Sequence, residues 1–156
     1  MPPKVSIPSG SPARKSWSCK GANLDEVFKN LNKHGWWGRY RSNLAYNAKL
    51  GSNVVSVSVT AKPVVIMPKW AQYGKASADD KKAWDKMYKA LLKHETNHHT
   101  ITDTHLKELK KNLEKGGEID GKELKKAWES SMKELEKKQK TYDSRTDHGS
   151  KEGVKL

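Results

Sequence analysis

The chain has 156 residues, of which 34% are hydrophobic and 31% are charged. That length suffices for one compact domain and is too short for two ordinary ones. No stretch approaches the roughly 20 consecutive apolar residues of a membrane-spanning helix, so no transmembrane segment is expected. The single cysteine, Cys19, excludes an intramolecular disulfide framework and a multi-cysteine metal site.

The charge is strongly positive: 31 Lys and Arg residues against 18 Asp and Glu give a net charge of +13. A field of this sign attracts polyanions such as nucleic acid or an anionic bacterial envelope. Only four of the basic residues are arginine, the residue that sequence-reading proteins favour for contacts to guanine. We therefore expect the charge to serve solubility and loose surface attraction, with no specific nucleic-acid partner.

The two ends of the chain are predicted to lie outside the folded domain. Residues 1–15 contain four of the six prolines, which predicts a flexible N-terminal arm. They lack the apolar core of a signal peptide, so the expected location is the cytoplasm or a compartment reached by signal-independent export. Residues 16–150 are predicted to form the domain, and residues 151–156 a basic tail.

The first half of the domain is predicted to contain one helix and then strands. Apolar residues recur at helical spacing over residues 22–33, with Asn23 as a candidate cap. Alternating apolar residues from 39 to 50 and from 55 to 59 predict strands, with a hairpin at 51–53. Residues 64–67 predict a third, more buried strand. The simplest interpretation is an antiparallel sheet of at least three strands.

The second half is predicted to be helical. Ser77 can cap one long helix, or two helices in line, that ends before Gly116. Asp120 can cap a second helix that runs to about Lys140. The segment from Tyr142 onward has no periodicity and is predicted to be a structured polar tail.

The sharpest chemical signal is the sequence HETNH at residues 94–98, inside the long predicted helix. His94 and His98 are one turn apart on the same face, so both imidazoles can reach one metal ion. Glu95 lies about 100° around the helix, where it can hold the water that the metal activates. This is the division of labour in zinc hydrolysis, in which a carboxylate moves the proton of the attacking water.

Two further histidines of this helix are not expected to be ligands. His99 is rotated about 100° from His98, and His105 lies about 10 Å farther along the helix axis. A hydrolytic zinc site needs three protein ligands, so the third must come from elsewhere. It could be His148, because Gly149 permits a tight turn that folds the tail over the helix. It could also be a glutamate of the second helix, and spacing does not choose among the candidates, which are Glu123, Glu129, Glu134 and Glu136.

The sequences HETNHHTI at residues 94–101 and YDSRTDHG at residues 142–149 together carry a resemblance. The chain resembles a bacterial family of zinc-peptidase-like domains of unknown function (number nine hundred and twenty-two), whose members show HExxH and then YDxxTxHG. The resemblance extends upstream to the opening at residues 16–21 and covers about residues 16–150. It implies a small zincin-like α+β domain, in which the sheet packs on the HExxH helix and a second helix follows.

The resemblance also implies a set of site residues. One Zn²⁺ per chain would be held by His94 and His98, with His148 as third ligand and Glu95 as general base. Tyr142 would donate a hydrogen bond to the oxyanion. Asp143 or Asp147 would orient a histidine ring. Arg145 is an alternative to Tyr142 for steadying the oxyanion. The alternative for Tyr142 and Asp143 is that they only fasten the tail.

These observations favour a zinc-dependent metallopeptidase that acts on protein or peptide substrates, including bacterial envelope peptides. An edge strand of the sheet could bind an extended peptide by strand addition. The alternative is a basic module that binds polyanions and carries a structural or vestigial metal site. Its stacking platform would consist of Trp36, Trp37 and Tyr40 beside Arg39 and Arg41.

Overall fold

A computed structural model describes residues 1–156 and shows an α+β fold with six strands and three helices. The strands are β1 (Lys4–Ser6), β2 (Ala13–Cys19), β3 (Arg39–Arg41), β4 (Ala45–Leu50), β5 (Val54–Thr60) and β6 (Val64–Trp70). The helices are α1 (Leu24–His34), α2 (Ala78–Lys115) and α3 (Gly121–Thr146). Short 3₁₀ turns span Tyr73–Lys75 and Ser150–Glu152. No helix is long and apolar enough to cross a membrane.

The strands form two three-stranded sheets, ordered β1-β5-β4 and β2-β6-β3. Each sheet pairs its central strand antiparallel with one neighbour and parallel with the other. The prediction of one antiparallel sheet is therefore wrong, although the hairpin between β4 and β5 is confirmed. The predicted strand over residues 39–50 divides at Asn43, whose φ of 50° ends the extended run. Its two parts, β3 and β4, belong to different sheets.

The N-terminal residues differ from the predicted flexible arm. They contain β1 and the start of β2, the strands that pair parallel to β5 and β6. Val5 is buried within the core beside β5, and its backbone N–H donates to Glu114 of α2 at 3.2 Å. The prolines of this segment favour a flexible arm, but short edge strands also tolerate proline. The proline content therefore does not distinguish an arm from an edge strand. The parallel partner of β1 lies some fifty residues away (Lys4 opposite Ser56), beyond the reach of local patterns.

The predicted helix starts are confirmed by their caps. The side chains of Asn23, Ser77 and Asp120 accept hydrogen bonds from backbone N–H groups in the first turns of α1, α2 and α3. Helix α2 is one uninterrupted helix of 38 residues. The sequence signals for these starts are local, which is why the starts could be predicted.

The C-terminal segment departs from the predicted tail. Helix α3 continues past Lys140 to Thr146, because Tyr142 and Thr146 lie one turn apart and are both buried. The last residues then turn back through Ser150–Glu152, and Val154 enters the core. The proposed basic tail at 151–156 is therefore partly packed against the domain.

Two apolar clusters form the core, and α2 spans both. The first joins α1 and the sheet of β6 to the N-terminal half of α2, which contributes Trp84, Met87 and Leu91. The second joins the sheet of β5 to α3 and the C-terminal half of α2. The stretch of α2 between the clusters is buried but polar; its buried residues are His94, Glu95, His98, Thr102 and His105.

Replacement of Val5 by alanine tests whether the N-terminal segment is packed. Val5 is 5% exposed, so the change is expected to lower the free energy of unfolding by about 2 kcal/mol, measured by urea denaturation. The matched control is Val55→Ala, at a side chain that is 52% exposed, for which we expect a change within about 0.5 kcal/mol. Equal effects of the two substitutions would mean that β1 is not packed.

Candidate metal centre

The polar stretch of α2 meets α3 at a single carboxylate. His94 and His98 are 2% and 7% exposed, and both direct Nε2 at the same oxygen, Oδ1 of Asp143, at 2.9 Å each. Ligand atoms of these three residues lie within 4.8 Å of one another. Asp143 reaches this position because α3 extends to Thr146. Two imidazole nitrogens and one carboxylate oxygen therefore converge on one point.

The outer nitrogens of both rings also face oxygen atoms. Nδ1 of His98 lies 2.6 Å from Oε1 of Gln139. The amide of Gln139 is oriented by its NH₂ group, which donates to the backbone oxygen of His98 and to Thr102 Oγ1. An amide oxygen can only accept, so Nδ1 of His98 carries the proton. The Nε2 lone pair of a neutral His98 then points at Asp143.

His94 has the same arrangement with a different partner. Its Nδ1 lies 2.7 Å from Oε1 of Glu152, in the turn that follows α3. The hydroxyl of Tyr142 donates to the same carboxylate. Burial alone would raise the pKa of Glu152. The hydrogen bonds from His94 and Tyr142 lower this pKa by a larger amount, so it lies below its usual value. Glu152 thus remains an anion that fixes the ring of His94.

This donor set fits a divalent cation. A neutral imidazole carries one proton, so each ring presents a lone pair at one of its two oxygen neighbours. A cation among the two Nε2 atoms and the Asp143 carboxylate satisfies all three groups. Histidine and carboxylate are ligands that zinc prefers.

Glu95 lies beside this cluster and is free of partners. It is 6% exposed, and its carboxylate takes part in none of the side-chain hydrogen bonds of the protein and lines the same cavity as His94 and His98. Burial raises its pKa to about 7, with a further increase from Asp143 and an opposing decrease from His98. A carboxyl with this pKa can exchange a proton near neutral pH.

A cavity of about 880 Å³ opens above the cluster. It is lined by three parts of the chain: residues 35–44, α2, and α3 with the segment that follows. His94, Glu95 and His98 all face it. The cavity is large enough for a short segment of peptide.

The structure places the other predicted site residues around this cluster and not in it. His148 lines the cavity and is exposed, but it is not in the group whose ligand atoms lie within 4.8 Å of one another. Asp147 caps α3 in a left-handed conformation and accepts a hydrogen bond from Ser150. The guanidinium of Arg145 lies over the ring of Tyr142, 5.6 Å from its centroid.

Tyr142 stacks on His94, with ring centroids 4.8 Å apart. Its hydroxyl donates to Glu152 and accepts from Asn97, and it is not among the groups that line the cavity. Burial raises its pKa to about 12, so the phenol stays protonated. The stacked ring of Tyr142 therefore orients His94. Its hydroxyl proton is already donated to Glu152 and is not available to an oxyanion in the cavity.

The two remaining histidines of α2 lie outside the cluster, as expected. His99 bonds through Nδ1 to the hydroxyl of Tyr40, and His105 bonds to Ser131. The four glutamates of α3 proposed as third ligands also lie outside the cluster. Sequence reasoning gave Asp143 only an orienting role, and it missed Gln139 and Glu152 entirely. Gln139 precedes Asp143 by one helical turn, which is the only local signal for it.

Gly149 allows the C-terminal turn to press against His94. A Cβ at this position would lie 3.1 Å from Cγ of His94 and 2.7 Å from Val154. We expect Gly149→Ala to lower the free energy of unfolding by about 1–3 kcal/mol more than Gly153→Ala does. Gly153 is the matched control, because its φ of +99° resembles the +91° of Gly149 while its added Cβ would meet only Ala90 at 3.6 Å. Equal losses in thermal or urea denaturation would contradict this close packing.

Comparison with known proteins identifies the family. Neither a curated protein nor a solved structure matches the chain. A family described as "Bacterial protein of unknown function (DUF922)" matches residues 15–149. The match agrees with the resemblance carried by the two motifs and covers most of the chain. The chain therefore belongs to this bacterial family of unknown function.

Proposed function

We propose that the protein is a zinc-dependent peptidase whose centre is the cluster of His94, His98 and Asp143. The observation that carries the proposal is the convergence of two imidazoles and one carboxylate beside the unpartnered Glu95, on the floor of an open cavity. In this proposal Asp143 takes the third ligand position that sequence reasoning assigned to His148. Three protein ligands leave one position open, as hydrolytic zinc sites require.

The residues of the chain divide the chemistry among them. Zn²⁺, when bound, polarises a carbonyl group and lowers the pKa of water. Glu152 and Gln139 hold the two rings so that both Nε2 atoms face inward. A Glu95 carboxylate oxygen accepts a proton from the attacking water and returns it to the departing amine.

Strand β3 offers a place for the substrate. It is an outer strand of its sheet, and all three of its residues line the cavity that contains Glu95. An extended peptide could pair with this edge through main-chain hydrogen bonds and cross the cluster. This supports a protein or peptide substrate.

The alternative, a polyanion-binding module, has less support from the packing. Its proposed stacking rings are engaged with the protein: the indole of Trp37 donates to Asn32, and the hydroxyl of Tyr40 bonds to His99. It predicts salt-dependent binding to polyanions that is insensitive to Glu95.

Replacement of Glu95 by glutamine tests the proposed reaction. We expect Glu95→Gln to reduce cleavage of unfolded casein by about 10²–10⁴-fold, because the proton acceptor is lost. A chelator should abolish the activity of the unsubstituted protein. Zinc content and unfolding temperature should not fall, since Glu95 is neither a ligand nor a hydrogen-bond partner within the protein.

The matched control is Glu129→Gln, on an exposed part of α3, which should leave cleavage unchanged. Cleavage that persists in the Glu95 variant would contradict the proposal. A zinc-loaded protein with no cleavage of casein or short peptides, but with polyanion binding, would favour the alternative.

The third ligand is tested by comparing Asp143→Asn with His148→Ala. We expect Asp143→Asn to weaken zinc binding by more than the roughly 10–100-fold that loss of an outer partner causes. His148→Ala should leave the zinc affinity unchanged, because that ring lies outside the cluster. The measurement is competition with a chromogenic chelator. A large loss for the His148 variant alone would assign the third position to the C-terminal histidine.

A further inference from the structure

Strand β3 places two arginines on the rim of the cavity. Arg39 and Arg41 flank Tyr40, whose hydroxyl is bonded to His99 on α2. Successive side chains of a strand point to opposite faces, so the two arginines share the face away from that contact. Both are exposed, and both line the cavity.

Neither guanidinium is neutralised by the protein. No carboxylate oxygen lies within 4.0 Å of Arg39 or Arg41, and neither side chain donates a hydrogen bond. Arg39 lies over the ring of Trp36, 5.7 Å from its centroid, a contact that orients the group without using its donors. The donors of both arginines are therefore available to a ligand.

The choice of arginine is informative in this chain. Only four of its 31 basic residues are arginine, and two of those four belong to this three-residue strand. Lysine would suffice for a generally positive surface. The planar fork of arginine differs from lysine in binding a carboxylate through two parallel hydrogen bonds.

The charge of the cavity rim is divided. On the α3 side the lining includes Asp147, an exposed carboxylate that lies in no ion pair, and Glu136, whose charge is neutralised by Lys140 at 3.0 Å. Carboxylates of a ligand are repelled from that side and attracted to β3. The rim thus favours a peptide whose carboxylates face β3.

We propose that the site selects peptides that carry two carboxylates at alternate positions, one for each arginine. This deepens the proposed function and rests on it. A peptide paired with β3 presents residues i and i+2 on one face, about 7 Å apart, which is also the spacing of Arg39 and Arg41 along their strand. Adjacent acidic residues would point to opposite faces and could engage only one arginine.

Binding of short peptides to the Glu95→Gln variant tests this inference without turnover. Three acetylated and amidated alanine-based octapeptides are compared by calorimetry: two glutamates separated by one residue, two adjacent glutamates, and two separated glutamines. We expect the separated glutamates to bind about tenfold more tightly than either other peptide, as one or two charge-assisted hydrogen bonds would give. Equal affinity for all three peptides would overturn the inference.

Variants then assign the preference to the arginines. Arg39→Gln with Arg41→Gln should remove the preference. The lysine pair at the same positions should keep the preference for alternate spacing but bind the separated glutamates less tightly, because an ammonium group lacks the bidentate geometry of a guanidinium. The control with the same loss of charge is Lys49→Gln with Lys125→Gln, two exposed residues outside the cavity lining, which should retain the preference. An equal loss in the control would show attraction to net charge only and would overturn the inference.

The two proposals can fail separately. Zinc-dependent cleavage of casein without any preference among the three peptides would remove the inference and leave the peptidase. A spacing preference that requires the arginines, in a protein that cleaves nothing, would remove the peptidase and leave an acidic-peptide site.

Discussion

The arrangement of the candidate centre follows from one constraint: every ring nitrogen of two buried histidines faces an oxygen atom. Nδ1 of His98 faces Gln139, and Nδ1 of His94 faces Glu152. Nε2 of both rings faces the carboxylate of Asp143. Neutral imidazoles cannot donate to two acceptors at once. A cation bound among these groups would resolve the conflict, and this supports the proposed metal site.

The fold creates the place for this cluster by dividing the core. Helix α2 packs its two ends into separate apolar clusters and leaves a polar stretch between them. The extended α3 brings Asp143 to this stretch, and the turn after it brings Glu152. Val154 anchors that turn in the first cluster, so the packing of the last residues also holds the second partner of His94.

Local features could be predicted from the sequence, and distant pairings could not. The spacing of His94 and His98 and the caps at Ser77 and Asp120 depend on residues within one helical turn, and the structure agrees with them. The parallel pairing of β1 and β2 depends on strands far along the chain, and no local pattern indicates it. The position of Asp143 beside the two histidines could not be predicted, because the end of α3 is rich in charged residues and lacks an apolar stripe. The sequence pattern therefore predicts a helix that ends near Lys140, about one turn before Asp143.

The proposed function requires that one metal ion binds among His94, His98 and Asp143. The most direct measurement is diffraction from crystals grown with zinc, recorded at the zinc absorption edge. One anomalous peak is expected about 2.0–2.2 Å from each Nε2 and from a carboxylate oxygen of Asp143. Absence of a peak between these groups, or a peak bound by His148 while Asp143 points away, would contradict the proposed metal site.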